Sequence, residues 1–271
     1  MCFNKNWFSK EEPKTELEEI ISNEEEIPAE QENIVTNDAE MFAELDKDEA
    51  EISALAAKKR ELVVLLDNGH ASSTPGKRSP KFGDESQFFE YEFNRDVVAR
   101  LSKLLAREGI RYEIITPEKD YDVPLSTRAA RANSYCSQYG IANCLFISVH
   151  SDAYGDGVHW TSPNGWEVYT CVGETKSDAV AIMFWEEAKK LFPTYNRKVR
   201  NGKNQPEGND GPDYEANFTV LVKTNCPAIL TENFFYTNED ECKWLKTDEA
   251  RDAVALLHLN GIKRWIESKV A

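Results

Sequence analysis

From Glu61 onward the chain alternates short apolar runs with longer stretches of helical periodicity. Residues 61–67 (Glu-Leu-Val-Val-Leu-Leu-Asp) form an apolar run that ends at Asn68-Gly69, which predicts a buried strand closed by a turn. Residues 75–87 are rich in Pro, Gly, Ser and Lys and read as a loop. Residues 90–108 place Phe93, Val97, Leu101, Leu104 and Leu105 at helical spacing, with Gly109 as the stop. Ile110 to Thr116 alternates as a strand, and Pro124 to Tyr139 reads as a second helix closed by Gly140.

The second half continues the pattern. Cys144–Val149 is a buried-strand candidate, and Trp166–Val172 is another, after the turn Ser162-Pro163-Asn164-Gly165. Residues 176–192 predict a helix with Pro193 as its stop. Residues 194–217 are polar and rich in Gly and Asn, a long loop of the kind that borders a site. Phe218–Val222 and Pro227–Thr231 are strand candidates, and residues 239–267 hold one or two final helices. Strands alternating with helices predict an α/β fold: a single domain with a mostly parallel or mixed sheet flanked by helices.

Charge separates the N-terminal segment from this domain. Residues 1–51 carry 17 acidic and 4 basic side chains, a net of −13 out of the chain's −16. With few aromatics and no sustained apolar face, residues 1–57 are expected to form an acidic, largely disordered tail with at most transient helix. A solubilising linker is the expected role and a docking arm for a basic partner the alternative; no partner is named by the sequence. Residues 58–271 are expected to form the folded domain, separate from this tail. Their near-neutral charge, without a basic stripe, argues against nucleic-acid binding. No run reaches the roughly 20 apolar residues of a transmembrane helix, and the N-terminus lacks the apolar core of a signal peptide. The expectation is a monomer made without a signal peptide. The six cysteines (2, 136, 144, 171, 226 and 242) form no CxxC pair and are expected to be free thiols.

The chemistry concentrates at the ends of the predicted strands. Of the four histidines, His70 follows the first apolar run and His150 the third, while Glu232 ends Pro227-Ala-Ile-Leu-Thr231. Ligand sites in open α/β sheets lie at the carboxyl ends of strands. Two histidines and a carboxylate hold a catalytic zinc with a fourth position open, and a further carboxylate can work on water there. Glu90, opening the helix after the first strand, is a candidate ligand. Each residue also has a plainer role: His70 as a turn residue, His150 as a satisfied core histidine, Glu90 as a dipole partner, Glu232 in a salt bridge. His159 and His258 lack this context and read as structural.

The joint pattern resembles the zinc-dependent N-acetylmuramoyl-L-alanine amidases of the Amidase_3 type over residues of about 62 to 268. Asp67-Asn68-Gly69-His70 matches the family's opening Asp-x-Gly-His turn, and Glu90 with Asn94 matches its second ligand and the Asn four residues on. Leu125-Ser126-Thr127-Arg128 with Ala132-Asn133, Phe146-Ile147-Ser148-Val149-His150, Gly165-Trp166-Glu167-Val168-Tyr169 and Pro227-Ala228-Ile229-Leu230-Thr231-Glu232 follow in the family's order. The resemblance implies one zinc ion held by His70, Glu90 and His150, with Glu232 as the catalytic acid–base. It implies cleavage of the amide between the lactyl group of muramic acid and L-alanine in peptidoglycan, in the manner of phage and prophage endolysins released to the wall. Arg128 and Asn133 are expected to be supporting groups rather than substrate contacts. The chain departs from the pattern at Ala71, where a glycine is usual, at Pro117, and at Asn233-Phe234, where the family prefers a small residue and Gly. None of these removes a ligand. The rival readings are another zinc peptidase or deacylase, and a non-catalytic peptidoglycan-binding regulator.

Overall fold

A computed structural model describes residues 29–202 and 211–270. Contacts divide the chain into two compact units, Met1–Ser53 and Ala54–Ala271. In the acidic segment, helix α1 runs over Ala29–Glu61, richer in structure than the transient helix expected from composition. Ala, Glu, Leu and Lys, the strong helix formers, dominate it. Its described side chains between Ala43 and Lys58 are exposed, in keeping with a solvated segment. The part of the expected tail in residues 1–28 lies outside the described residues, as does Cys2.

The second unit is built on β1 (Val63–Asn68), α2 (Glu90–Arg107), β2 (Arg111–Ile114), α3 (Leu125–Tyr139), β3 (Cys144–Asp152), β4 (Glu167–Thr170), α4 (Lys176–Leu191), β5 (Tyr214–Glu215), α5 (Thr219–Lys223), β6 (Ala228–Phe235), α6 (Glu239–Leu245) and α7 (Asp248–Val270). The six strands form one sheet in the order β2-β1-β3-β6-β4-β5. All neighbouring pairs are parallel except β4 with β6, so the sheet is mixed.

Strand periodicity divides the core in two. Val64 and Leu66 of β1 and Leu145, Ile147 and Val149 of β3 point to the layer formed with α2, α4 and α7. Val63 and Leu65, with Cys144 and Phe146, point to the opposite layer, which holds Ala132 and Cys136 of α3 and Val220 and Leu221 of α5. A strand buried on both faces needs apolar residues at every position, which is why β1 and β3 read as continuous runs.

Two elements differ from the sequence reading. Phe218–Val222 is not a strand: Thr219–Lys223 is helical. Adjacent Val220 and Leu221 are buried while Phe218 and Val222 are exposed, a helical pairing rather than alternation. Both edges of β6 are already occupied, by β3 and β4, so no place in the sheet remains beside it. The long polar loop contributes a short strand, β5, that its composition does not announce. The final segment is two helices, α6 and α7.

Strand β6 carries a bulge opposite the end of β3. His150 pairs with Glu232, but Asp152 pairs with Phe235, so β6 has one residue more. Phe234 sits there at φ 66°, a left-handed conformation that favours glycine. This is the position at which the chain departs from the family's Gly. The ring is fully buried and packs edge-on against Phe192 and Trp244 at centroid distances of 4.8 and 5.1 Å.

Candidate active site

The same parity that divides the core assembles the site. Asp67 continues the Val63–Leu65 face of β1, Ser148 and His150 continue the Cys144–Phe146 face of β3, and Glu232 continues the Ala228–Leu230 face of β6. All four therefore lie on the α3–α5 side of the sheet, at the carboxyl ends of parallel strands. Together with His70, Lys77, Leu125 and Phe218 they line a cavity of about 320 Å³. A second cavity of about 300 Å³, lined by Thr74, Asp122 and Arg128, shares His70, Leu125 and His150 with the first.

His70, Glu90 and His150 each offer a ligand atom, and these atoms lie within 4.8 Å of one another. Glu90 Oε1 is 3.0 Å from His150 Nδ1 and 3.4 Å from His70 Nε2. The two imidazoles meet edge-on with centroids 4.8 Å apart. His70 reaches inward from the turn after β1 at φ 60°. The turn passes so close to its partner that a Cβ on Gly69 would lie 2.5 Å from His150 Nδ1, so glycine is required there. Glu90 stands at the first position of α2, where the helix dipole favours a carboxylate. The Ser151 amide also donates to Glu90 Oε1, at 3.3 Å.

A second layer fixes the tautomer of His150. Ser148 Oγ donates to Asp67 Oδ2 at 2.7 Å, which leaves its lone pairs to accept from His150 Nε2, 3.1 Å away. Nε2 then carries the proton and Nδ1 the free lone pair. That lone pair faces a carboxylate oxygen at 3.0 Å, an arrangement that calls for a proton or a metal ion between them. Asp67 is in turn held by buried Arg128 at 2.9 Å and by Thr116 Oγ1 at 2.8 Å. Arg128 thus supports the site from behind.

The residues fit a metal. Two nitrogens and a carboxylate oxygen converge, and Glu90 Oε2 is buried without a hydrogen-bond partner. Burial drives the His70 pKa down to about 4, so the imidazole is neutral at pH 7, as a ligand must be. Burial pushes the Glu90 carboxyl up, but its contacts with His150, His70 and Lys77 outweigh it and hold the group below its ordinary value. Glu90 is therefore ionised.

Glu232 stands beside this cluster, with an opposite electrostatic character. It is the register partner of His150 on β3 and of Glu167 on β4. Its Oε2 is shielded from solvent and unpartnered. Burial, reinforced by the charges of Asp152, Glu90 and Glu167, raises its pKa well above the ordinary carboxylate value. Glu167 is itself pushed up to about 8 by burial and by a hydrogen bond shared with Asp152, despite Arg200 at 2.8 Å. Tyr169 donates to Glu167 Oε1 at 2.9 Å.

All four residues expected at the site thus converge in one place. Arg128, expected as a supporting group, holds Asp67 behind the site. Lys77, Ser148 and Asp152 were not assigned to it from sequence; Ser148, lying two residues before His150 and so on the same strand face, was the one that spacing alone signalled. Asn133 is structural: it donates to Lys223 O and accepts from the Asn225 amide, both at 2.8 Å, joining α3 to the segment after α5. His159 pairs with Asp156 on the surface. His258 is buried behind the sheet, its Nδ1 donating to Val254 O at 2.7 Å and its Nε2 accepting from Thr231 Oγ1 at 2.9 Å. The five described cysteines are free. No described helix is long and apolar enough to cross a membrane.

Comparison with known proteins agrees with this geometry. The chain is 27% identical over 210 residues to an endolysin of Bacillus phage SPP1, covering 76% of this chain and 67% of the relative. It is 28% identical over 204 residues to the N-acetylmuramoyl-L-alanine amidase CwlM of Bacillus licheniformis, covering 74% and 67%. Against the amidase AmiC of Escherichia coli the identity is 25%, and the chain spans 54% of that relative's length. Among solved structures, the catalytic domain of the amidase CwlV from Bacillus (Paenibacillus) polymyxa superposes with a TM-score of 0.59 at 20% identity, covering 76% of this chain and 98% of that one. An amidase from Clostridium difficile 630 gives 0.60 at 20% identity, covering 76% and 97%. These two likenesses concern the fold. The Amidase_3 family of N-acetylmuramoyl-L-alanine amidases matches residues 64–264, the span that contains the whole constellation, and the chain belongs to that family.

Proposed function

We propose that the domain hydrolyses the amide between the lactyl group of N-acetylmuramic acid and L-alanine in peptidoglycan, with one zinc ion held by His70, Glu90 and His150. The observation that carries this reading is the convergence of three ligand atoms within 4.8 Å beside a protonatable Glu232 on the adjacent strand. When bound, the ion supplies Lewis acidity toward the amide carbonyl and toward the attacking water.

The chain's own residues do the rest. Glu232 accepts the proton of the attacking water at a carboxylate oxygen and delivers it to the nitrogen of the departing L-alanine. Its raised pKa suits the first half of that task, since a more basic carboxylate accepts the proton of water more readily. Ser148 and Asp67 keep the His150 ring in one tautomer and orientation. Leu125, Phe218, Val220 and Leu230 give the cavity an apolar wall beside the scissile group. The enzyme is read as a monomer acting on the wall, with the acidic segment as a solvating spacer.

The test is digestion of purified peptidoglycan by the zinc-loaded protein, with mass spectrometry of the soluble products. Free peptides headed by L-alanine, abolished by a chelator, are expected. Intact glycopeptides with stoichiometric zinc would point instead to another hydrolase, and absence of bound zinc to a non-catalytic binding module.

A further inference from the structure

Lys77 lies in the loop before α2 and is not part of any matched motif. Its carbonyl accepts the amide of Glu90 at 3.1 Å, so the loop is tied to the helix end that presents the carboxylate ligand. The side chain lines the same cavity as His70, His150 and Glu232, and it is the one Lys or Arg among the described residues that do so. Its ammonium is 3.9 Å from Glu90 Oε2, beyond hydrogen-bond reach, and its side chain is 41% exposed. The other formal charges on that lining are Asp67, Asp152 and Glu232. Asp67 is neutralised by Arg128 and Asp152 shares a hydrogen bond with Glu167. Apart from the metal that the His70–Glu90–His150 cluster would hold, the ammonium of Lys77 is the one group on the described lining that favours a substrate anion.

The peptide stem offers an anion close to the scissile bond. Its second residue is a glutamate joined through the side-chain carboxyl, so the α-carboxyl is left either as a free carboxylate or, in other walls, as a primary amide. We propose that Lys77 is a specificity-determining residue that binds this free carboxylate and makes the enzyme favour unamidated stems. The inference rests on the amidase reading above. An ammonium–carboxylate contact is charge-assisted and is lost when the carboxylate becomes an amide.

The test compares two synthetic muramoyl peptides that differ only in that group, carboxylate or amide, with the zinc-loaded wild-type protein and the variants Lys77→Met and Lys77→Arg. The wild type is expected to favour the carboxylate substrate by roughly tenfold in KM, the size of a charged hydrogen bond. Lys77→Met should bring the ratio close to one, with the loss falling on the carboxylate substrate, and Lys77→Arg should restore part of the preference. Equal cleavage of both substrates by the wild type overturns the inference alone. A Lys77→Met variant that slows both substrates equally and binds less zinc also overturns it, because Lys77 would then serve only as a counter-ion of Glu90. Failure of the wild type to release an L-alanine-headed product from either substrate overturns the amidase reading and this inference with it.

Discussion

His150 and Glu232 are register partners on the neighbouring parallel strands β3 and β6, so the sheet itself sets the proposed ligand beside the proposed acid–base carboxylate. The pairing leaves little freedom in their separation, because slipping either strand by one residue would turn its side chain to the opposite face. Catalytic geometry and sheet register are the same quantity here.

Glu232→Gln removes the titrating oxygen while keeping the shape of the side chain. Zinc content should stay at the wild-type level, and release of L-alanine-headed peptides should fall roughly 100-fold or more. Full activity in this variant would remove Glu232 from the mechanism.

Ser148→Ala breaks the link between His150 and Asp67 without touching a ligand. Zinc affinity should drop by about 10- to 100-fold, measured by competition with a chromophoric chelator. Wild-type affinity would mean that the imidazole is oriented by its other contacts.

Phe234 allows an unusual ordering of variants. Glycine would relax the left-handed backbone, contributing on the order of 1 kcal/mol, but removing the buried ring costs about 3–5 kcal/mol. Alanine would lose the ring and keep the strain. Urea unfolding should therefore rank wild type above Phe234→Gly, and Phe234→Gly above Phe234→Ala, the reverse of the usual preference within a strand. A more stable alanine variant would show that the bulge can adopt another backbone.

His258 makes stability depend on pH. Burial lowers its pKa from 6.5 to about 4 in the folded protein, so between these values the unfolded chain binds more protons. Stability from this residue is fully present above about pH 6.5 and is lost as pH falls toward 4, by up to about 3 kcal/mol. Chemical denaturation of the wild type and of His258→Gln across this range should show a shallower decline in the variant. Parallel curves would assign the acid sensitivity to other groups.

The core strands and the four site residues were legible because each signal was local. Continuous apolar runs mark β1 and β3, and His70, His150 and Glu232 stand at or just beyond the ends of such runs. Glu90 opens a helix with a clear apolar stripe. What escaped depends on distant partners. Arg128 was expected as a supporting group, but its pairing with Asp67 joins residues far apart in sequence and was not foreseen. The strand reading of Phe218–Val222 failed because β-branched and aromatic residues suit a sheet only where an edge is open. The helix α1 escaped because composition reports the lack of a core more directly than the backbone's local preference.

The sheet order has a consequence for biosynthesis. Strand β6 is made after β4 and β5, yet it lies between β3 and β4 and carries Glu232. A chain growing from its N-terminus can pair β2, β1 and β3 early and β4 with β5 later, but these two halves join into one sheet only when β6 arrives. The proton-handling group and the strand that closes the sheet are delivered by the same eight residues. An incomplete product lacking them would carry His70, Glu90 and His150 but not Glu232. Under the proposed mechanism, turnover therefore waits on the strand that completes the sheet.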